Sequence, residues 1–357
     1  MAGRTRGGTW RRSWVGGVVV LALVGLLGAV AGVPASFAAQ PNEVVFVGWG
    51  GSLQAAEREA FFKPFEKATG IKVIDVPDIN LAKIQAMVET KNVEWDVAQC
   101  LGMWIPEGDR TGMWEKLDYS QIDKSGFRDF MMTPTGIGIQ SSAIILGYNT
   151  KAFPKGKEPQ SWADFWDVKK FPGRRGLLNS PRYTLEFALL ADGVPKDKIY
   201  PLDVDRAFRS LEKIKPHINV WWTQWPQPPA LLTSGEIGMS ITSNGRILPL
   251  QKEKAPVDMQ WSQGLLTVDY LAIPKGSPRR ENAMKLIAWM MKPELQAEYA
   301  KLSFYGPSNE NAMKLLDEET RQKLPTYHTD KMVILNNAWW ADNLKAATER
   351  WTEWRLK

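Results

Sequence analysis

The chain has 357 residues, 44% of them hydrophobic and 24% charged, with 17 Trp and a formal net charge of +6, which excludes a disordered chain or a coiled coil and allows a core in two or more domains. The basic balance invites a nucleic-acid or anionic-membrane reading, but Arg4, Arg6, Arg11 and Arg12 stand in residues 1–38 without any acid and hold four of the six charges, leaving +2 for the rest. No nucleic-acid partner is expected. A single cysteine, Cys100, rules out an internal disulfide, and its apolar and small neighbours read it as a buried hydrophobe.

Residues 1–38 have the layout of a secretory signal: a basic start, an apolar stretch from Val15 to Val33, and small residues at Ser36 and Ala38 for cleavage. These favour removal over a retained anchor, with the mature chain beginning at Ala39 or Gln40. Arg11-Arg12 followed by apolar residues also fits a twin-arginine signal, so the export route stays open between the two systems. An exported chain without disulfides suits a bacterial periplasm.

Beyond the leader, Val44 to Val47 reads as a buried strand that runs into the Gly48-Trp49-Gly50-Gly51 turn. A helix capped by Ser52 and closed by Gly70 follows, then a strand over 71–76, a helix over 81–88 and a strand over 95–100. This β-α-β-α-β run predicts a doubly wound parallel sheet, with ligand bound beyond the carboxyl ends of its strands, where Trp49 and Leu101 fall. A further strand spans 143–148, and Ser161 to Trp166 forms a short amphipathic helix. A second α/β unit then alternates strands at 176–179, 219–222 and 237–241 with helices at 185–191, 204–214 and 229–233. An apolar strand over 267–273 leads to a helix that Lys292-Pro293 terminates, and a last helix covers 331 to about 354.

The chemistry inventory is thin. Two separated histidines, His217 and His328, without carboxylates or thiols at ligand spacing, argue against a zinc site, no phosphate loop or dinucleotide fingerprint is present, and no nucleophile elbow is visible. An enzyme is not expected, nor a metal or a cofactor; a secreted hydrolase with two distant carboxylates is the least favoured reading.

Four stretches in order resemble the periplasmic solute-binding proteins of ABC importers, in the branch that contains the spermidine/putrescine receptors. They are Val44–Trp49 with Phe65 to Val73, the Ser161–Trp166 block, Val268-Asp269-Tyr270-Leu271-Ala272-Ile273-Pro274, and Tyr305-Gly306-Pro307-Ser308-Asn309. The resemblance implies an α/β fold of two lobes (type II-like), each a sheet flanked by helices, with the ligand cleft at the hinge. Lobe 1 is expected to comprise 39–145 and 268–311, and lobe 2 to comprise 146–267 and 312–357. It also implies a monomer that binds a small aminated solute, a polyamine such as putrescine or spermidine or a zwitterion such as 4-aminobutyrate, and delivers it to a membrane permease by hinge closure.

The resemblance implies the ligand residues too. Trp49 stands at the family's aromatic position and Asp269 at its amine-binding carboxylate, with a structural hydrogen bond at the hinge as the alternative for the acid. Tyr305 lies where relatives place an aromatic contact, and Ser243-Asn244-Gly245-Arg246 falls where the family faces the cleft, adding Asn244 and Arg246. Where polyamine receptors carry further acids, this chain has Asn179-Ser180-Pro181-Arg182-Tyr183-Thr184, so a second carboxylate is missing and a cation stands nearby. One acid with Arg182 or Arg246 suits a zwitterion, an ammonium on Asp269 and a carboxylate on a planar guanidinium; the alternative is an arginine bridged to an acid such as Glu186. Trp222, from the Trp221-Trp222-Thr223-Gln224-Trp225 cluster, is expected to complete the aromatic wall. Trp339-Trp340 is expected to pack lobe to lobe. A sugar receptor, suggested by the tryptophans, and a ferric-ion receptor, which would want paired tyrosinates, are the rival binding functions.

Overall fold

The computed structural model describes residues 42–357, so the expected signal segment lies outside the described residues. The strands are β1 (Glu43–Val47), β2 (Lys72–Val76), β3 (Val97–Leu101), β4 (Gly136–Asn149), β5 (Arg175–Leu178), β6 (Ile218–Trp222), β7 (Met239–Ser243), β8 (Val257–Ala272), β9 (Gly306–Pro307) and β10 (Val333–Ile334). They pair in the order β2-β1-β3-β8-β4-β7-β5-β6, with β9 on β4 and β10 on β8. β1, β2 and β3 are parallel, as are β5, β6 and β7; β8 runs antiparallel to β3, and β4 antiparallel to β7 and β8.

Helix α1 (Gly51–Glu57) passes through a π turn at Arg58–Phe62 into α2 (Lys63–Thr69), which Gly70 closes at φ 72°. Ser52 does not cap it. The Gly50 N–H donates instead to the side-chain Oε1 of Gln54 at 2.8 Å. Then come α3 (Leu81–Glu89), α4 (Trp104–Thr111), α5 (Trp162–Trp166), α6 (Pro181–Ala191), α7 (Val204–Ile214), α8 (Gln227–Ser234), α9 (Asn244–Lys252), α10 (Arg280–Met290), α11 (Pro293–Ser303), α12 (Glu310–Met313), α13 (Glu318–Gln322) and α14 (Asn337–Leu356). Pro293 ends α10 and also opens α11 at its first turn, where a missing N–H costs nothing. The last helix starts later than expected, because Asn336 caps it and the chain first makes the short strand β10.

The molecule is a mixed α/β sheet flanked by helices and divided into two lobes. The apolar interior is divided accordingly. Val44, Phe46, Phe61, Ile137, Leu271 and Ile287 pack on one side of the first lobe's strands and Val47, Ala98, Cys100 and Tyr270 on the other. Trp162, Leu177, Phe187, Leu211, Trp222, Trp340 and Trp351 build the second lobe's core. β4 and β8 run through both, and the expected boundaries at 145/146 and 267/268 fall inside these two strands. A register shift between Ile144 and Leu146 bends the pair there, with Ala143, Ile145, Leu266 and Met332 packed at the crossing. Residues 312–324, expected in the second lobe, pack instead through Ala312, Leu316 and Leu324 on Ala297 and Ala300 of α11 in the first. Trp340 is wholly inside the second lobe rather than between lobes, and only Trp339, against Tyr200, is part exposed.

Candidate functional site

β1 ends at Val47, and the glycines that follow release the backbone so that Trp49 lies across β3 and β8. Asp269 is opposite Gln140 on β4 and Leu101 on β3 in the register. It is a half-buried acid within an otherwise buried stretch of β8, a position that demands partners. Two are present: Trp49 Nε1 donates to Asp269 Oδ2 at 3.1 Å, and Gln140 Nε2 donates to the same oxygen at 2.9 Å. Tyr299 on α11 donates its hydroxyl to Gln140 Oε1, which settles the amide orientation and turns its NH2 toward Asp269. Both donors thus go to Oδ2, and no described residue hydrogen-bonds Oδ1. Burial pushes the Asp269 carboxyl up to about 6, against the pull of Gln140, Trp49 and the Arg182 charge.

The second lobe supplies that charge. α6 opens on Pro181, but Arg182 (φ −63°, ψ 132°) and Tyr183 (φ 72°, ψ −41°) leave the helical path, a strained conformation for a tyrosine of the kind that clusters at binding sites. The Arg182 guanidinium lies 4.6 Å from the centre of the Tyr183 ring, its Nε is buried without a partner, and it enters no salt bridge among the described residues. Glu186 does not neutralise it, since that carboxylate accepts from Tyr200 at 2.6 Å and from Trp340 Nε1 at 2.5 Å. Arg182 is near enough for its charge to be felt at Asp269, with no hydrogen bond or salt bridge between them. Arg246, exposed in the first turn of α9, likewise enters no salt bridge among the described residues. Tyr305 lies under both charges: burial pushes its hydroxyl up to about 12, Asp269 adds to the rise, and Arg246 opposes it. The Tyr305 ring rests on Gly245, where a Cβ would come within 3.2 Å of it.

Aromatic rings close the sides. Trp104 meets Trp49 at 5.8 Å between ring centres, and Trp225 meets Tyr183 at 6.1 Å. Among the described residues no three His, Cys, Asp or Glu stand together to hold a metal ion, and no helix is long and apolar enough to cross a membrane. Hollows in the surface lie elsewhere, one of about 660 Å³ between α4 and α14; the cluster around Asp269 is distinguished by its chemistry, not by volume.

Asp269 with one free carboxyl oxygen, the Arg182 charge felt by it, and the rings of Trp49, Trp104 and Tyr183 near them make this cluster the candidate site. The profile of the bacterial extracellular solute-binding proteins matches residues 60–328. The chain belongs to that family. It is 34% identical to the gamma-aminobutyric acid-binding protein of Pseudomonas aeruginosa over 89% of this chain and 92% of that one. To the spermidine/putrescine-binding periplasmic protein of Escherichia coli it is 26% identical over 92% and 95%. An ABC transporter substrate-binding protein from Bradyrhizobium japonicum superposes with a TM-score of 0.84 at 39% identity, covering 87% of this chain and 99% of that one.

Within this solute-binding protein two of the expected ligand residues are otherwise engaged. Asn244 is fully buried, its Oδ1 accepting from the Ala143 N–H at 2.9 Å and its Nδ2 donating to the Phe304 carbonyl at 2.8 Å, so the amide has no free end for a ligand and instead ties α9 to β4 and the end of α11. Trp222 is a core plug: it is 1% exposed, with Nε1 donating to Ser240 Oγ at 3.1 Å. Trp225, three residues on and part exposed, packs between Trp222 and Tyr183. Gln140 and Trp104 went unread from the sequence. The signal for Gln140 was a lone amide among Gly, Ile and Ser; for Trp104, its place just past the carboxyl end of β3.

Proposed function

We propose that this protein is a periplasmic receptor for a small zwitterionic amino acid of the 4-aminobutyrate kind, which it delivers to an ABC permease. The observation that carries the reading is Asp269, with Oδ1 free, within reach of the charge of Arg182, which enters no salt bridge among the described residues. An ammonium on Oδ1 gains the counter-charge and the Trp49 and Trp104 faces; a carboxylate gains a bidentate guanidinium. Each charge of the ligand is held by a different lobe, so a solute that bridges them favours the closed form. Arg246 and Tyr305 extend the acid-binding side and Trp225 the wall. The chain works as a monomer, is exported by a signal cleaved before Ala39 or Gln40, and binds without turnover. Among the described residues lobe 1 holds 42–145 and 268–324 and lobe 2 holds 146–267 and 325–357. The polyamine alternative lacks support in the second lobe, where the groups met are cations.

Isothermal calorimetry on the mature protein with 4-aminobutyrate, putrescine, spermidine and a disaccharide tests this. Binding of 4-aminobutyrate with no heat from the diamine is the expected result; tighter binding of putrescine, or of the sugar, sinks it.

A further inference from the structure

Behind Asp269, away from the cleft, the polar cluster continues to a second acid. Glu57, the last residue of α1 before the π turn, is fully buried and both its carboxyl oxygens lack a hydrogen-bond partner. Gln99 on β3, also fully buried, has an unpartnered Oε1 and Nε2. Glu57 faces Gln99 and Tyr299, and Gly48 makes the room, since a Cβ there would lie 3.0 Å from Gln99 Oε1. Four unpartnered polar atoms on two sealed residues, next to the carboxylate that meets the cleft, call for a reason.

No cation reaches Glu57. The titratable groups around it are Asp269 on β8, Asp75 on β2, Tyr299 on α11 and Tyr305 just after α11, and its chain neighbour Arg58 is committed to Asp75. An ionised carboxyl in such a place has neither water nor counter-charge, and a group so placed takes up a proton instead. Burial first, and then the Asp269 charge, hold the Glu57 carboxyl well above the usual range.

We propose that Glu57 is a positioning residue of the amine site, the neutral partner in a carboxyl pair with Asp269, and that it limits the pocket to one negative charge and therefore to one ammonium. This rests on the reading that Asp269 takes the ligand's amine. With Glu57 ionised, the paired acids would draw a divalent cation or a second ammonium; with Glu57 neutral, the cluster presents Asp269 alone.

Difference infrared spectroscopy reads the protonated carboxyl directly, and needs no ligand. At neutral pH the carbonyl stretch is expected in the wild type and diminished in Glu57→Gln. Glu186, the other fully buried acid of raised pKa, also contributes, so the double variant Glu186→Gln/Asp269→Asn, which leaves Glu57 in place, is expected to keep the band even if Glu57→Gln does not fold. Calorimetry adds that Glu57→Gln, an isostere of the neutral acid, binds 4-aminobutyrate within about threefold of wild type and with the same proton release, a change well under the factor that 1.4 kcal/mol represents. Absence of the band in the double variant overturns the proposal. So does a Glu57→Gln affinity loss of about tenfold or more with an altered proton count. If the wild type binds no amine at all, it is the reading of Asp269 that fails, while the band still decides the state of Glu57.

Discussion

The two halves of the cleft are built differently. On the first lobe Asp269 is fixed before any ligand arrives: Trp49 and Gln140 hold one carboxyl oxygen, and Tyr299 holds Gln140. On the second, Arg182 rests on Tyr183, with a buried Nε and no salt bridge among the described residues, although Glu186 is near enough to feel its charge, and Arg246 is exposed. Under the proposed reading the amine end is thus a preorganised half-site with one free carboxyl oxygen, and the acid end is a pair of charges that take the ligand as their partner. A solute-binding protein gains from this division. The ordered half can select the ligand in the open state, and the unpaired cation makes closure favourable only when a carboxylate is present.

Removing the fixed half tests the comparison most severely. Asp269→Asn leaves an ammonium buried without its counter-charge, a cost of about 3–5 kcal/mol, so calorimetry should show 4-aminobutyrate binding weakened by two orders of magnitude or more. An unchanged affinity would remove Asp269 from the site. Arg182→Ala acts on the other half and is expected to be milder, about 1.5–3 kcal/mol for the charge-assisted hydrogen bonds lost, with no penalty for an amine that lacks a carboxylate. Equal losses for 4-aminobutyrate and for a monoamine of the same length would show that Arg182 supports the fold of α6 rather than the ligand.

Protons sharpen the same asymmetry. In the unliganded protein Asp269 titrates near 6, above its ordinary 3.8. A raised acid contributes stability that is complete below the unfolded value and is lost as pH rises through 6, so this group stabilises the empty receptor on acidification from 6 toward 3.8. Ligand affinity moves the opposite way. The ammonium needs the ionised carboxylate, and its affinity should fall by about tenfold per pH unit below 6 until the carboxyl of the complex itself titrates. Arg182 adds no slope in this range, since a guanidinium stays charged. Affinity measured from pH 4.5 to 7.5 checks this, and a flat profile would place the amine elsewhere.

Much of the first lobe was legible. The β-α-β-α-β pattern around Phe46, Val73 and Val97 is periodic because each element buries one side, and Trp49 and Asp269, 220 residues apart and both singled out through the family resemblance, lie together, joined by a hydrogen bond. The failures have a common physical cause. Whether Asn244 and Trp222 are free depends on the Phe304 carbonyl and on Ser240, groups that no local pattern reveals. Gln140 was hidden because Gly136, Gly138, Ser141 and Ser142 have weak strand propensity, and the segment is a strand only because β8 and β9 pair with it. The break at Arg182 and Tyr183 was equally invisible, since nothing in Pro181-Arg182-Tyr183 announces a positive φ.

The finest discrimination between the two halves concerns the indole of Trp49, which serves both as a wall and as a donor. Trp49→Phe keeps an aromatic face beside Trp104 but deletes the N–H that meets Asp269 Oδ2 at 3.1 Å. Gln140 still holds that oxygen, so the half-site should loosen rather than collapse, and affinity should fall by about 1 kcal/mol, the net worth of one such hydrogen bond. The sign of the accompanying pKa change separates this from a loss of wall area. A carboxylate deprived of a donor is harder to ionise, so the acidic limb of the affinity profile should shift to higher pH in Trp49→Phe. A loss of affinity without that shift would mean that Trp49 acts only through its ring, and that the preorganisation of Asp269 rests on Gln140 and Tyr299 alone.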